Sequence, residues 1–178
     1  LARARASLSA SGEVRQDASL ESSILAAAVL RRSRSWVLAH PEFELGAGQV
    51  THLNKLLDRL ASGEPLAYLS GKREFYGLEF AVTPAVLVPR PETELLVERA
   101  LDWLHAHPRS RRAVDVGTGS GCIAVALAKF IPDLHVAAVD CSPAALEVVR
   151  ANAAAHVVSD RLECIQGDLL GPLAGPFD

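Results

Sequence analysis

Asp115, Gly117, Gly119, Gly121 and Asp140 are the residues whose types and spacing suit chemistry. The glycines alternate with Thr118 and Ser120 in a G-x-G-x-G turn, with one carboxylate ahead of it and another beyond it. Glycines let the backbone come close to a ligand, and the N–H groups that open a following helix attract an acceptor group. A carboxylate at the tip of the next strand can accept both hydroxyls of a ribose. The chemistry is that of a nucleoside-cofactor site. A glycine turn packed for its own sake is the alternative, but each alternating glycine forgoes side-chain packing and costs backbone entropy.

The flanking patterns predict the elements that hold these residues. Ala113–Val116 is a short apolar run and Cys122–Phe130 has apolar residues at helical spacing. Val136–Val139 is a second apolar run, ending on Asp140. Together they make a right-handed βαβ unit with its loop at the carboxyl end of the sheet. Ser142-Pro143 then opens a helix through Ala145, Leu146, Val148, Val149 and Ala153, with an N-cap and a proline at the first position. Leu162–Gln166 is a third strand, followed by Gly167-Asp168. That strand end faces the ligand crevice, so Asp168 can accept a hydrogen bond from an adenine amino group. The dinucleotide fingerprint G-x-G-x-x-G fails because its third glycine position is Cys122. A nicotinamide-dependent dehydrogenase is therefore disfavoured. The D-x-G-x-G-x-G run with an acidic strand end resembles motif I of the S-adenosylmethionine-dependent methyltransferases.

Ahead of this core, residues 1–16 are rich in Ala, Ser and Arg and suggest a frayed helix. Leu20, Ile24, Leu25, Ala28 and Val29 form an apolar stripe, and Arg31, Arg32 and Arg34 suit the helix C-terminus. Ser35–Ala39 is a short helix stopped by Pro41, and Val50, Leu53, Leu56, Leu57 and Leu60 mark another, closed by Ser62-Gly63. Pro65–Leu69 adds a helical turn. Lys72–Tyr76 and Leu78–Val82 alternate like a β-hairpin around Gly77. In Pro89-Arg90-Pro91-Glu92-Thr93-Glu94 the prolines stiffen the backbone and the acids occupy the first turn of a helix through Leu95, Leu96, Val97, Leu101 and Leu104. A helix start accounts for these residues, yet the segment is stiffer than a cap requires and can shape a site wall. We expect a helical domain at 1–70, a hairpin linker at 71–85, and an α/β domain from 86 to 178.

The composition of the 178 residues is ordinary for a globular protein, and a net charge of −3 argues against a large nucleic-acid footprint. Cys122, Cys141 and Cys164 are odd in number and widely spaced. They point to a reducing compartment, with no disulfide framework or zinc site. Cys122 falls in a first helical turn, where a thiol can acidify, although a small buried packing residue is the simpler reading. The histidines form no metal-ligand spacing, so no metal is expected. No apolar run reaches the roughly 18 residues of a membrane span, and no signal-peptide pattern is present. A cytoplasmic location is expected. The chain holds no Met and closes on Gly175-Pro176-Phe177-Asp178, which reads as a turn entering another strand. A longer parent protein is expected.

With these residues in hand, the chain resembles the release-factor glutamine methyltransferases, the PrmC/HemK family. The likeness rests on Gly63-Glu64-Pro65-Leu66, Arg73-Glu74-Phe75, Val88-Pro89-Arg90-Pro91-Glu92-Thr93-Glu94, Asp115 to Gly121, and Val139-Asp140. The resemblance implies an S-adenosylmethionine-binding, Rossmann-like α/β domain, here truncated after its third strand, behind a small helical domain. It implies methyl transfer from S-adenosylmethionine to the side-chain amide of glutamine in the Gly-Gly-Gln motif of class I release factors, with S-adenosylhomocysteine as product. The helical domain would help dock that protein. Asp115 and Gly117, Thr118, Gly119, Ser120 and Gly121 would belong to the cofactor site, with the turn at the methionine part. Asp140 would hold the ribose, and Asp168 and Leu169 would lie near the adenine. Pro89, Arg90, Pro91 and Glu92 would wall the substrate site. The family's catalytic Asn-Pro-Pro-Tyr would follow Asp178, so residues 1–178 are expected to hold much of the cofactor without catalysing alone. The first strand is central in this fold, and here one of its edges would stay open and apolar. Two rival readings are an adenine-N methyltransferase acting on nucleic acid, which would be expected to carry a basic groove, and a catalytically inactive docking module.

Overall fold

The computed structural model describes residues 18–171, 173 and 177. The helix expected over 1–16 and most of the turn at 175–178 lie outside them. The chain divides into two compact units, Leu1–Gly71 and Lys72–Asp178.

The first unit is helical. Helix α1 (Ala18–Leu30) packs against α2 (Arg34–Ala39), α3 (Ala47–Ala61) and α4 (Leu66–Ser70). Caps set these boundaries. Ser33 Oγ accepts the Trp36 amide at 3.1 Å, Gln49 Oε1 accepts the Gly46 amide at 3.0 Å, and Gly71 ends α4 in the left-handed region. Leu53, Leu56, Leu57 and Leu60 are buried as their spacing requires, whereas Val50 is exposed. The stripe expected on α1 is displaced. Its buried face is Ser22, Ser23, Leu25, Ala26 and Ala27, while Leu20 is exposed. The serines go inside because their hydroxyls donate to the Ser19 and Leu20 carbonyls at 3.2 and 2.7 Å, leaving no unmet polar group.

The second unit carries the candidate site. Strands β1 (Lys72–Phe75) and β2 (Leu78–Ala81) form an antiparallel hairpin in which Phe75 faces Leu78. Both turn residues, Tyr76 and Gly77, have positive φ, at 52° and 71°. This is the twist that suits a two-residue hairpin. A 3₁₀ turn (Pro91–Thr93) leads into α5 (Glu94–Ala106). Then follow β3 (Arg112–Val116), α6 (Cys122–Phe130), β4 (His135–Asp140), α7 (Pro143–Ala155) and β5 (Leu162–Gln166). The parallel sheet has the order β3-β4-β5. Val116 pairs with Val139 and Asp140 with Gln166, so the carboxyl ends of the strands lie level. Helices α6 and α7 pack on the sheet and on each other, which puts both on one face, as successive right-handed crossovers require. Among the described residues β3 pairs only with β4, and β3 is largely half-buried where β4 is buried.

The hairpin corrects one expectation. Instead of linking two domains, it belongs to the core of the second unit. Phe75 and Phe80 are 1% and 0% exposed and cluster with Val97, Leu101 and Leu104 of α5 and Val125 of α6. The rings meet edge to face at 6.1 Å. Glu94 at the start of α5 accepts the Tyr76 amide at 3.0 Å, fixing the hairpin turn to that helix. We therefore expect Phe80→Ala to cost about 3–5 kcal/mol, as for other buried aromatics. Leu38→Ala, at an exposed position, should stay within about 0.5 kcal/mol. Urea unfolding followed by circular dichroism checks the contrast.

Candidate functional site

The glycine turn hangs from the carboxyl end of β4. The amides of Gly117 and Thr118 both donate to the Val139 carbonyl, at 2.8 and 3.0 Å. The Gly119 amide donates to Asp140 Oδ2 at 3.0 Å. Gly121 closes the turn by donating to the Thr118 carbonyl at 2.8 Å, and its own carbonyl accepts the Val125 amide to start α6. Gly117, Gly119 and Gly121 have φ of 73°, 55° and 77°, which side chains rarely adopt. Gly121 is constrained twice over, because a Cβ there would stand 3.0 Å from Val149 Cγ1 on α7.

The two carboxylates play different parts. Asp115 Oδ2 accepts the Thr118 hydroxyl at 2.7 Å and the Ala124 amide at 3.2 Å. It braces the turn and satisfies an amide in the first turn of α6. Burial, helped by the Asp140 charge, raises the Asp115 carboxyl above the ordinary aspartate range, although both hydrogen bonds pull the other way. Asp140 is half-buried at the sheet tip. Besides the Gly119 amide on Oδ2, it accepts the Ser142 amide on Oδ1 at 2.9 Å.

The remaining expected residues fall into groups. Thr118 and Ser120 are buried, 6% and 2% exposed, so neither side chain is open to a ligand. Asp168 and Leu169 are exposed beyond β5, and Leu169 sits at φ 49°. Their loop is tied to the site because the Gly167 amide donates to the Asp140 carbonyl at 3.1 Å. Pro89 is buried while Arg90, Pro91 and Glu92 are exposed. The hydrogen bonds of this segment are local, from Thr93 to Arg90 and from Glu94 to Pro91. Cys122 is buried and its thiol is pushed up, chiefly by burial, so it packs rather than reacts. Among the described residues no group of His, Cys, Asp and Glu could hold a metal, and no helix is long and apolar enough to cross a membrane.

A cavity of about 580 Å³ lies elsewhere, over the starts of the strands, with Arg112, His135 and Glu163 in its lining. Parallel sheets bind ligands at the opposite, carboxyl end. The turn, Asp140 and Asp168 are all at that end, and they define the candidate site. Sequence reasoning missed Asn152. This 1% exposed residue of α7 donates to the Ser120 carbonyl at 2.8 Å. A polar residue on the otherwise apolar stripe of α7 was the signal that could have found it.

Two outcomes test this geometry. Gly117→Ala meets no atom within 4 Å and should lose only the left-handed backbone preference, about 1 kcal/mol. Gly121→Ala should lose more, and Val149→Ala should recover part of the difference in a double-mutant cycle read by urea unfolding. Asp115 has its folded-state pKa raised, so the folded chain holds that proton more tightly than the unfolded one. Its contribution is present below the unfolded value, near pH 4, and is lost as pH rises through the raised folded value. Asp115→Asn keeps an oxygen acceptor without the charge. Relative to the parent it should gain stability as pH rises from about 4 through the raised folded value; a difference that stays constant with pH would contradict the assignment.

Comparison with known proteins supports a family. The PrmC N-terminal domain model matches residues 1–71, and the methyltransferase small domain model matches residues 91–178. The release factor glutamine methyltransferase of Bordetella pertussis is 47% identical over 149 residues, covering 84% of this chain and 54% of the relative. That of Escherichia coli strain K12 is 42% identical over 175 residues, covering 98% of this chain and 61% of the relative. This chain thus spans a little over half the length of these relatives. The N-terminal domain of human METTL16 in complex with SAH is 20% identical, with a TM-score of 0.46 over 58% of this chain and 43% of that one, too distant to add to the argument. The helical unit, the methyltransferase small domain behind it and the close relatives agree: the chain belongs to the release factor glutamine methyltransferase family.

Proposed function

We propose that this chain forms the cofactor-holding part of a methyltransferase that acts on a glutamine side-chain amide in the Gly-Gly-Gln motif of class I release factors. Asp140 carries the reading. A carboxylate has about four acceptor sites, two on each oxygen, and here each oxygen accepts one backbone amide. Its position is fixed, and each oxygen keeps an acceptor site for one hydroxyl of a vicinal diol. That is what a ribose presents. Next to it, the Gly117 and Gly119 backbone is at least partly exposed and without side chains, which suits the close approach of a ligand.

When bound, S-adenosylmethionine supplies an activated methyl group and is left as S-adenosylhomocysteine. In this reading Gly117 and Gly119 admit its methionine part, Asp140 orients the ribose, and Asp168 and Leu169 flank the adenine. Asp115 acts indirectly, by bracing the turn through Thr118. Pro89, Arg90, Pro91 and Glu92 form the wall toward the glutamine, and the helical unit contributes docking surface for the release factor. Because an amide nitrogen is a weak nucleophile, catalysis would draw on orientation and preorganised hydrogen bonds rather than a strong base. Three free cysteines suit a reducing compartment, and we place the protein in the cytoplasm.

Titration calorimetry with S-adenosylhomocysteine tests the reading on this chain. The parent should bind, and Asp140→Ala should bind about tenfold or more weakly, the range for hydrogen bonds to a charged group. A parent chain that gives no heat, or an Asp140→Ala variant with unchanged affinity, would sink it. Methyl transfer by the full-length protein to a Gly-Gly-Gln release factor, but not to RNA, tests the substrate.

A further inference from the structure

We propose that Asn152 is a positioning residue: its buried carboxamide sets the last peptide of the glycine turn and gears that turn to the β-hairpin. The carboxamide accepts the Ala81 amide at 2.8 Å and donates to the Ala81 carbonyl at 3.0 Å. It also donates to the Ser120 carbonyl at 2.8 Å. With both amide hydrogens used and 1% exposure, Asn152 has no role toward solvent.

Two features make this more than a satisfied core amide. First, the Ser120–Gly121 peptide is held at both ends. Its carbonyl goes to Asn152 and its N–H to the Thr118 carbonyl. Rotation of that peptide would break both bonds and disturb the glycines before it. Val149, three residues earlier on α7, fills the space where Gly121 lacks a Cβ, so one helix face both braces the turn and fixes its last peptide. Second, α7 runs along the outer edge of β2. Asn152 meets Ala81, and His156 Nε2 lies 2.9 Å from the Glu79 carbonyl. Four residues of helix rise about 6 Å and two residues of strand about 6.6 Å, so the pairings keep step. The Asn152 side chain thus acts as a short piece of neighbouring strand, covering the β2 edge and passing the hairpin's position to the turn.

The inference deepens the cofactor reading and rests on it for its ligand arm, so its test has two arms. The first needs no ligand. In Asn152→Ala, exchange of the Gly121 amide should accelerate about tenfold relative to the Val139 amide of β4, the worth of one lost hydrogen bond. In Leu146→Ala, which empties a buried α7 site, that ratio should hold. The second arm is S-adenosylhomocysteine affinity of fully folded protein. It should weaken about tenfold in Asn152→Ala and stay within about twofold in Leu146→Ala. Should Asn152→Ala fail to fold, Asn152→Asp gives the same reading through pH. Its protonated carboxyl can supply one donor and its ionised form none, so affinity should fall as pH rises in the variant and not in the parent. An unchanged exchange ratio in Asn152→Ala, or a pH-independent affinity in Asn152→Asp, overturns the role of Asn152. A parent that does not bind overturns only the cofactor reading, and the exchange arm still decides the positioning role.

Discussion

The hydrogen bond from the Gly119 amide to the Asp140 carboxylate is the constraint on which the rest of this unit depends. It joins the middle of a glycine turn after β3 to the tip of β4, and the Val139 carbonyl reinforces it by taking the Gly117 and Thr118 amides. One consequence is electrostatic. Two carboxylates end up near each other at the ends of adjacent strands, and burial, helped by the Asp140 charge, makes Asp115 hold its proton more tightly than an ordinary aspartate. The division of labour follows from what each carboxylate holds. Both are half-buried and each accepts two hydrogen bonds. Those on Asp115 come from Thr118 and Ala124 and brace the turn, while Asp140 at the strand tip takes one backbone amide on each oxygen.

Helix α7 is the second organising element. It packs on β4 and β5, meets α6, and lies along β2. Its residues therefore connect the sheet, the turn and the hairpin in one piece. The hairpin gains a second anchor through Phe75 and Phe80 in the core and a third through Glu94 at its turn. An element that reads as a connector is thereby made part of the frame that supports the glycine turn.

What could be read from the sequence was what is decided locally. Alternating glycines, a Ser-Pro helix start and runs of Val and Ala at strand spacing placed α6 and β5 at their observed limits, and the start of α7 at Pro143. Asp140 emerged as a strand-tip carboxylate because the apolar run before it ends there. What stayed hidden was decided by distant partners. Nothing near Phe80 in sequence tells that it packs with residues of α5 and α6. Ser22 and Ser23 look like surface residues until their hydroxyls are seen bonding to carbonyls one turn back. Asp115 reads as a ligand residue because its spacing before the glycines is suggestive, yet its bonds to Thr118 and Ala124 exist only once the turn has folded. Asn152 depends on residues 71 and 32 positions away.

The central claim is that the carboxyl end of this sheet, with Asp140 at its focus, receives a nucleoside. Amide chemical-shift mapping with S-adenosylhomocysteine tests it most directly. The account predicts that the first and largest shifts fall on Gly117, Thr118, Gly119, Ser142 and Gly167, whose amides are hydrogen-bonded to Val139 or Asp140. Shifts centred instead on Arg112, His135 and Glu163, around the large cavity at the other end of the strands, would contradict it.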